Sequence, residues 1–299
     1  MKHVKILSLI LVFALAIGAF ASCGGKTTKK LVMGTNASFP PYEYVEGNEI
    51  VGIDAEIAQA VAEKLGMALE IKDMEFDSLI PAVANGSIDI ALAGMTVTDE
   101  RKESVNFSDS YATGVQVIIV KEDSDIASPD DLAGKKIGVQ TGTTGDIYIT
   151  KEYGQENVSQ YSNGSLAVQA LLNGQVDCVV IDNEPAKNYV AQNAGLKILE
   201  TEYTTENYAA AIAKNNTELL EKFNKALAEL TAEGKIAEII EKYIPSDGEA
   251  VTPEPDTSES APVETSETEA VETSESVPAE SSETTAETTS EEATETTAA

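Results

Sequence analysis

The strongest constraint on this chain is internal to it. SLIPAVANGSIDIALAG, beginning at Ser78, and LAVQALLNGQVDCVVID, beginning at Leu166, align at an offset of 88 residues. Each is an amphipathic helical pattern closed by Asn-Gly (Asn85-Gly86, Asn173-Gly174), followed by Ile or Val, an aspartate (Asp89, Asp177) and an apolar run of strand length. Asn and Gly both tolerate positive φ, so each pair reads as a helix C-terminal cap. A helix feeding a strand, met twice, predicts two lobes built alike. In open parallel sheets ligands sit beyond the carboxyl ends of the strands, so two such lobes facing each other would bury a ligand between them.

The flanking pattern supports this. Strand-like runs at Leu31 to Thr35, Leu69 to Lys72 and Ile88 to Ala93 alternate with helical patterns at Asp54 to Leu65 and Asp77 to Ala84. The pattern restarts with strands at Lys136 to Gln140, Asp177 to Ile181 and Leu196 to Leu199. Such alternation predicts βαβ units, an α/β class and largely parallel sheets. Two further runs, Gly114 to Val120 and Tyr208 to Ala213, bracket the second half, so the chain is expected to cross between lobes twice. Two crossings permit a hinge while restricting twist. Glu218 to Leu230 and Lys235 to Tyr243 read as helices returning to the first lobe. The expected boundaries are 31–117 with 209–245 for one lobe and 118–208 for the other.

The two ends differ from this body. Lys2 and Lys5 precede ILSLILVFALAIGAF, whose 15 residues are too few for a confident membrane span but suit the core of an export signal, 1–22. Phe20-Ala21-Ser22-Cys23 resembles a bacterial lipobox, in which Cys23 becomes a lipidated N-terminus, with 23–30 as a tether. Of the formal charge of −31, 246–299 carries 16 acidic residues and no Lys or Arg. That tail has no aromatic, Leu, Ile or Met, cannot bury enough apolar area to offset ordering entropy, and is expected to be disordered. Cys178, within VDCVVI, reads as a small buried hydrophobe.

Composition also removes most chemistry. The one histidine, His3, lies in the expected leader, so the mature chain would lack imidazole for a catalytic triad or a metal site. The negative charge disfavours nucleic acid. Binding proteins and carboxylate-based enzymes remain.

The most informative stretch is ALAGMTVTDERKESVNFSDSY, beginning at Ala91. A strand ends at Ala93-Gly94, Gly94 admits close approach of a ligand, Thr98 reads as a helix N-cap, and Arg101 is placed to hold a carboxylate bidentately. Taken with GTNASFPPYEY, GIDAEIAQAVAEKLG, EFDSLIPAV and VQTGTTG, it resembles the polar amino-acid family (family 3) of extracellular solute-binding proteins, which deliver substrates to ABC importers. The resemblance covers essentially all of 30–245. It implies a two-lobed periplasmic-binding-protein-like fold of type II and a monomer lipid-anchored on the outer face of the cytoplasmic membrane. It further implies a free L-amino acid as ligand, ABC permease subunits as partners, and neither cofactor nor catalysis.

The resemblance also implies roles at the site. Arg101 would hold the ligand α-carboxylate, helped by the backbone N–H and hydroxyl of Thr96 and by the N–H of Thr144 at a helix N-terminus. Asp182 and the carbonyl of Gly94 would take the α-ammonium, with Asp182 also a candidate N-cap. Phe39 and Phe76 would sandwich the side chain, and Ala93 would line the site. Members that bind cationic amino acids often have an acid where Asn36 stands, and Gln140 is likewise a neutral amide. A neutral polar ligand is therefore expected, although Glu43 and Glu184 lie near enough in sequence to leave a basic one open. A sensor acting in trans, or a dehydratase on the same fold, are the alternatives.

Overall fold

The computed structural model describes residues 28–199 and 205–245. The expected leader, Cys23, most of the tether and the acidic tail lie outside the described residues.

Two sheets form the body. The first comprises β1 (Lys30–Thr35), β5 (Ala68–Asp73), β6 (Ile90–Ala91), β7 (Val105–Phe107) and β14 (Ala211–Ala213), in the order β5-β1-β6-β14-β7. The second, of six strands, comprises β8 (Ala112–Lys121), β9 (Ile137–Gln140), β10 (Val158–Tyr161), β11 (Cys178–Asp182) and β12 (Leu196–Leu199), in the order β10-β9-β11-β8-β12, with β13 (Thr205–Tyr208) pairing β8 off that path. Three strands run parallel in each, and the fourth position is an antiparallel strand reached by a crossing segment: β14 in one, β8 in the other. The two lobes thus share one strand order, as the duplicated sequence unit implied.

The duplication has a physical device at its centre. Helices α2 (Phe76–Ala84) and α5 (Gly164–Leu172) end alike: the N–H groups of Gly86 and Ser87 return to Val83 and Ala82, and those of Gly174 and Gln175 to Leu171 and Ala170. Only the glycines take positive φ, 78° and 70°; both asparagines stay right-handed. Two or three residues later the aspartate secures the next strand. Asp89 Oδ2 accepts from Val32 N–H at 2.8 Å and Asp177 Oδ2 from Lys136 N–H at 2.7 Å. Each aspartate also donates its own N–H to the same residue's carbonyl at 2.8 Å. A carboxylate on a backbone donor fixes which residues reach the far, carboxyl ends of the strands.

The expected run Tyr208 to Ala213 is broken into two strands. β13 (Thr205–Tyr208) pairs with the first four residues of β8, and the chain then shifts through Ala209 and Ala210 into β14 of the first sheet. β8 itself changes partner after Val115, from β13 to β11 and β12. The expected strand Ile88 to Ala93 shortens to Ile90–Ala91, because the chain turns out of the sheet toward Gly94, whose φ is +52°.

Helix α1 (Ile53–Lys64) buries Ile53, Ile57 and Val61 at four-residue spacing against the first sheet. Helices α7 (Thr217–Ala232) and α8 (Lys235–Tyr243) add Phe223, Leu227, Leu230, Ile236 and Ile239 to that core and pack on α1. A small sheet of β2 (Ser38–Phe39), β3 (Glu43–Glu46) and β4 (Glu49–Val51) stands beside the first lobe's cleft edge. Cys178 is buried and unpaired, and burial pushes its thiol up to about 12.

Candidate ligand-binding site

A small pocket, with room for little more than a single water (about 10 Å³), lies where the carboxyl ends of the two sheets meet. All ten residues expected from the sequence line it: Asn36, Phe39, Phe76, Ala93, Gly94, Thr96 and Arg101 from the first lobe, and Gln140, Thr144 and Asp182 from the second. Their placement follows the strands. Asn36 follows β1, Ala93 and Gly94 follow β6, Gln140 ends β9, and Asp182 ends β11. Thr144 opens α4 (Thr144–Tyr153), with Thr143 as its N-cap accepting from Asp146 N–H. Arg101 lies in α3 (Asp99–Ser104), whose N-cap is Thr98; the Thr98 hydroxyl accepts the Arg101 N–H at 3.2 Å.

Arg101 is 6% exposed. Its guanidinium lies over the Phe76 ring at 5.3 Å. Nη1 donates to the Thr96 carbonyl at 2.7 Å and Nη2 reaches across the cleft to the Gly142 carbonyl at 3.0 Å. Three further N–H groups of the fork remain for an incoming anion. Gly94 holds its turn because its N–H donates to Asp54 Oδ2 at 2.8 Å. A Cβ there would come within 2.8 Å of Phe39 Cε1.

Three expectations need correction. Asp182 stands at the cap position of α6 (Asn183–Gln192) but its side chain caps nothing; it accepts from the Tyr208 hydroxyl instead. The Thr96 hydroxyl donates to Glu206 Oε2 at 3.0 Å, so its one proton is already spent and only the backbone N–H is left for a ligand. Asn36 and Gln140, on which a neutral ligand was expected, bond each other across the cleft at 3.0 Å, and Asn36 Nδ2 also donates to the Met74 carbonyl. Their neutrality therefore reflects an amide pairing between lobes and carries little information about ligand charge.

Two further carboxylates join the site: Glu43, which the sequence left open as a partner for a basic ligand, and Glu206, which sequence reading missed. Glu43 lines the cavity at 1% exposure, and neither of its oxygens meets an N–H or O–H donor. Glu206 is 4% exposed, and its Oε2 accepts from Thr96, from Thr144 Oγ1 at 2.9 Å and from Gln116 Nε2 at 3.0 Å. Glu206 and Tyr208 share the inward face of β13, whose burial alternates along Thr205–Tyr208. The sequence Thr205-Glu206-Asn207-Tyr208 carries no apolar alternation of its own, so nothing in it marks Glu206 as inward. Glu184, by contrast, bonds Asn183 and Lys187 and does not line the cavity.

The electrostatics are one-sided. Glu43 and Asp182 line the cavity, Asp54 and Glu206 are buried beside it, and Arg101 is the one cationic side chain in its lining. Burial, then the neighbouring Asp54, pushes Glu43 well above the usual carboxylate range. Burial pushes Asp54 up to about 6 against the opposing bonds from Gly94 and Tyr111. Asp182 is pushed up to about 7 by burial and the Glu206 charge, with the Tyr208 bond working in the other direction. Asp54 Oδ1 also lacks a donor, so a hydrogen bond joining Glu43 to Asp54 requires a proton held on one of them. Such a site is short of positive charge.

Fold and site define a two-lobed amino-acid-binding protein, and comparison with known proteins agrees. An ancestral arginine-binding protein in complex with arginine superposes with a TM-score of 0.68 at 45% identity, covering 72% of this chain and 98% of that one. Its complex with glutamine gives 0.70 at 44%, over 73% and 98%. The arginine-binding extracellular protein ArtP of Bacillus subtilis is 38% identical over 79% of this chain and 96% of its own length. Residues 31–246 match the model of the bacterial extracellular solute-binding proteins, family 3, and the chain belongs to that family. Its members are substrate-binding components of ABC importers.

Proposed function

We propose that this protein captures a free cationic amino acid, arginine fitting best, between its lobes and presents it to a membrane permease. The observation that carries this reading is the pairing of Glu43, buried with no hydrogen-bond partner beyond the carboxyl of Asp54, with a cavity holding a single cationic side chain. The ligand's α-carboxylate would sit on Arg101 and the N–H groups of Thr96 and Thr144, and its α-ammonium on Asp182 and the Gly94 carbonyl. The side chain would run between Phe39 and Phe76 to place its charge against Glu43. Arginine-binding relatives support the choice.

The capture mechanism follows from desolvation. Each charge of a zwitterion is costly to bury unless paired. Arg101 and Asp182 come from opposite lobes, so closure alone satisfies both ends, and binding favours closure through its differential affinity for the two states. Anchoring through Cys23, a cleaved leader, hinge boundaries near 117 and 209, and a monomeric state belong to the same reading.

Titration calorimetry of the protein against arginine, lysine, histidine, glutamine and cystine tests it. Arginine should bind most tightly. Tighter binding of glutamine than of arginine overturns the charge argument, and no binding of any free amino acid overturns the whole. Arg101→Ala or Asp182→Ala strands a buried charge at a cost of about 3–5 kcal/mol, about half of the roughly 8 kcal/mol of a micromolar complex. Either variant should bind roughly 150- to 5,000-fold more weakly, and near-wild-type affinity would refute its assigned role.

A further inference from the structure

Several contacts cross the cleft directly: Arg101 to the Gly142 carbonyl, Gln140 to Asn36, and the Tyr189 hydroxyl to the Ser38 carbonyl at 2.6 Å. Glu206 does something different. It sits on β13, at the hinge edge of the second sheet, where β13 pairs with the crossing end of β8, Glu206 opposite Gly114. From there one oxygen, Oε2, takes the hydroxyl of Thr96 from the first lobe and that of Thr144 from the second, at 3.0 and 2.9 Å. Gln116, on the facing crossing strand β8, supplies the third donor at 3.0 Å.

Three donors on one oxygen call for an acceptor that carries no hydrogen of its own and bears charge, which selects carboxylate over amide or hydroxyl. The bonds are charge-assisted and shielded from water, at 4% exposure of Glu206 and 5% and 3% of Thr96 and Thr144. A hinge rotation that opens the cleft must separate Thr96 from Thr144 and therefore break at least one of them.

We propose that Glu206 is a latch carried on the hinge: its carboxylate joins one hydroxyl from each lobe and holds the cleft closed independently of the amino acid bound there. The latch sets how often the cleft opens, so it governs ligand residence time as well as the population of the closed form. It is a positioning residue, acting through Thr96 and Thr144, and it stands whatever the ligand proves to be.

Hydrogen exchange by mass spectrometry on the full chain, without added amino acid, tests this. In Glu206→Ala, amides at the cleft around 36–39, 94–101 and 140–144 should exchange roughly tenfold or more faster, as expected for losing charged hydrogen bonds to a local opening. The interiors of β1 and β9 should exchange at the wild-type rate. Glu206→Gln keeps one acceptor oxygen and should fall between wild type and the alanine variant. Unchanged cleft exchange in the alanine variant overturns the proposal, and so does acceleration spread evenly through both sheets, which would mean a general packing role. Should the alanine variant fail to fold, Thr144→Val removes one hydroxyl while keeping the carboxylate, and the same local acceleration is required of it. Stopped-flow release of arginine from Glu206→Ala should quicken in proportion to cleft exchange, and an unchanged release rate would refute control of residence time.

Discussion

Replacing Glu43 by Gln separates the charge of the site from its shape. The two side chains are nearly isosteric, and the position is 1% exposed, so water cannot compensate for the lost charge. A unit charge about 4 Å from another gains about 4 kcal/mol at the effective dielectric near 20 that suits buried protein sites. Not all of this reaches the affinity, because burial and Asp54 hold the Glu43 carboxyl toward its protonated form and a cation must first displace that proton. A net loss of about 2–3 kcal/mol is expected for arginine in Glu43→Gln, roughly 30- to 150-fold in Kd. Glutamine, with the same α-groups and no side-chain charge, should lose less than about threefold, within the ~0.5 kcal/mol typical of a neutral substitution. Calorimetry of both ligands on both proteins gives the double difference directly. Equal weakening of arginine and glutamine would mean that Glu43 acts through packing, and an unchanged arginine affinity would remove it from the site; either result refutes the reasoning.

Binding should depend on pH through Asp182. Its folded value near 7 lies above the ordinary 3.8, so between those values the unliganded fold binds more protons than the unfolded chain. Its contribution to stability is therefore complete below about pH 4 and lost as pH rises through about 7, which thermal melts across that range would register as a falling Tm. Affinity for a cationic amino acid should move the opposite way, strengthening from pH 5 to 8 as Asp182 ionises, and a flat calorimetric profile would contradict its contact with the ammonium. Gly94→Ala should cost about 1–2 kcal/mol in denaturant melts from φ of +52° alone, and should weaken binding by forcing Phe39 aside, since the added Cβ would lie 2.8 Å from its Cε1.

Much of the site was legible because its parts are local. The strand ends, the Asn-Gly caps and the Thr98 N-cap are short-range features, and each carries a site residue to a strand's carboxyl end within a few positions. Arg101 and Thr144 were readable for the same reason. What escaped reading was pairwise and distant. Asn36 and Gln140 lie 104 positions apart, and Thr96 and Glu206 lie 110 apart. No periodicity reveals that two neutral amides satisfy each other, so their neutrality was credited to the ligand when it belongs to the closed cleft.

The charge of a binding site is likewise a sum over elements that only folding assembles. Glu43 sits on β3, Asp54 at the start of α1, Asp182 at the end of β11 and Glu206 on β13; the sequence pointed to Glu43 and Asp182 singly, but not to their sum with Asp54 and Glu206. Brought together behind a common barrier to water, Asp54 raises the cost of ionising Glu43, and Glu206 that of ionising Asp182. A lone arginine cannot neutralise such a set, and a neutral zwitterion adds no net charge to help. A ligand carrying one extra positive charge offsets that excess, so selectivity for cations would arise from Glu43 as the contact its side chain meets, reinforced by the other buried carboxyl groups behind it.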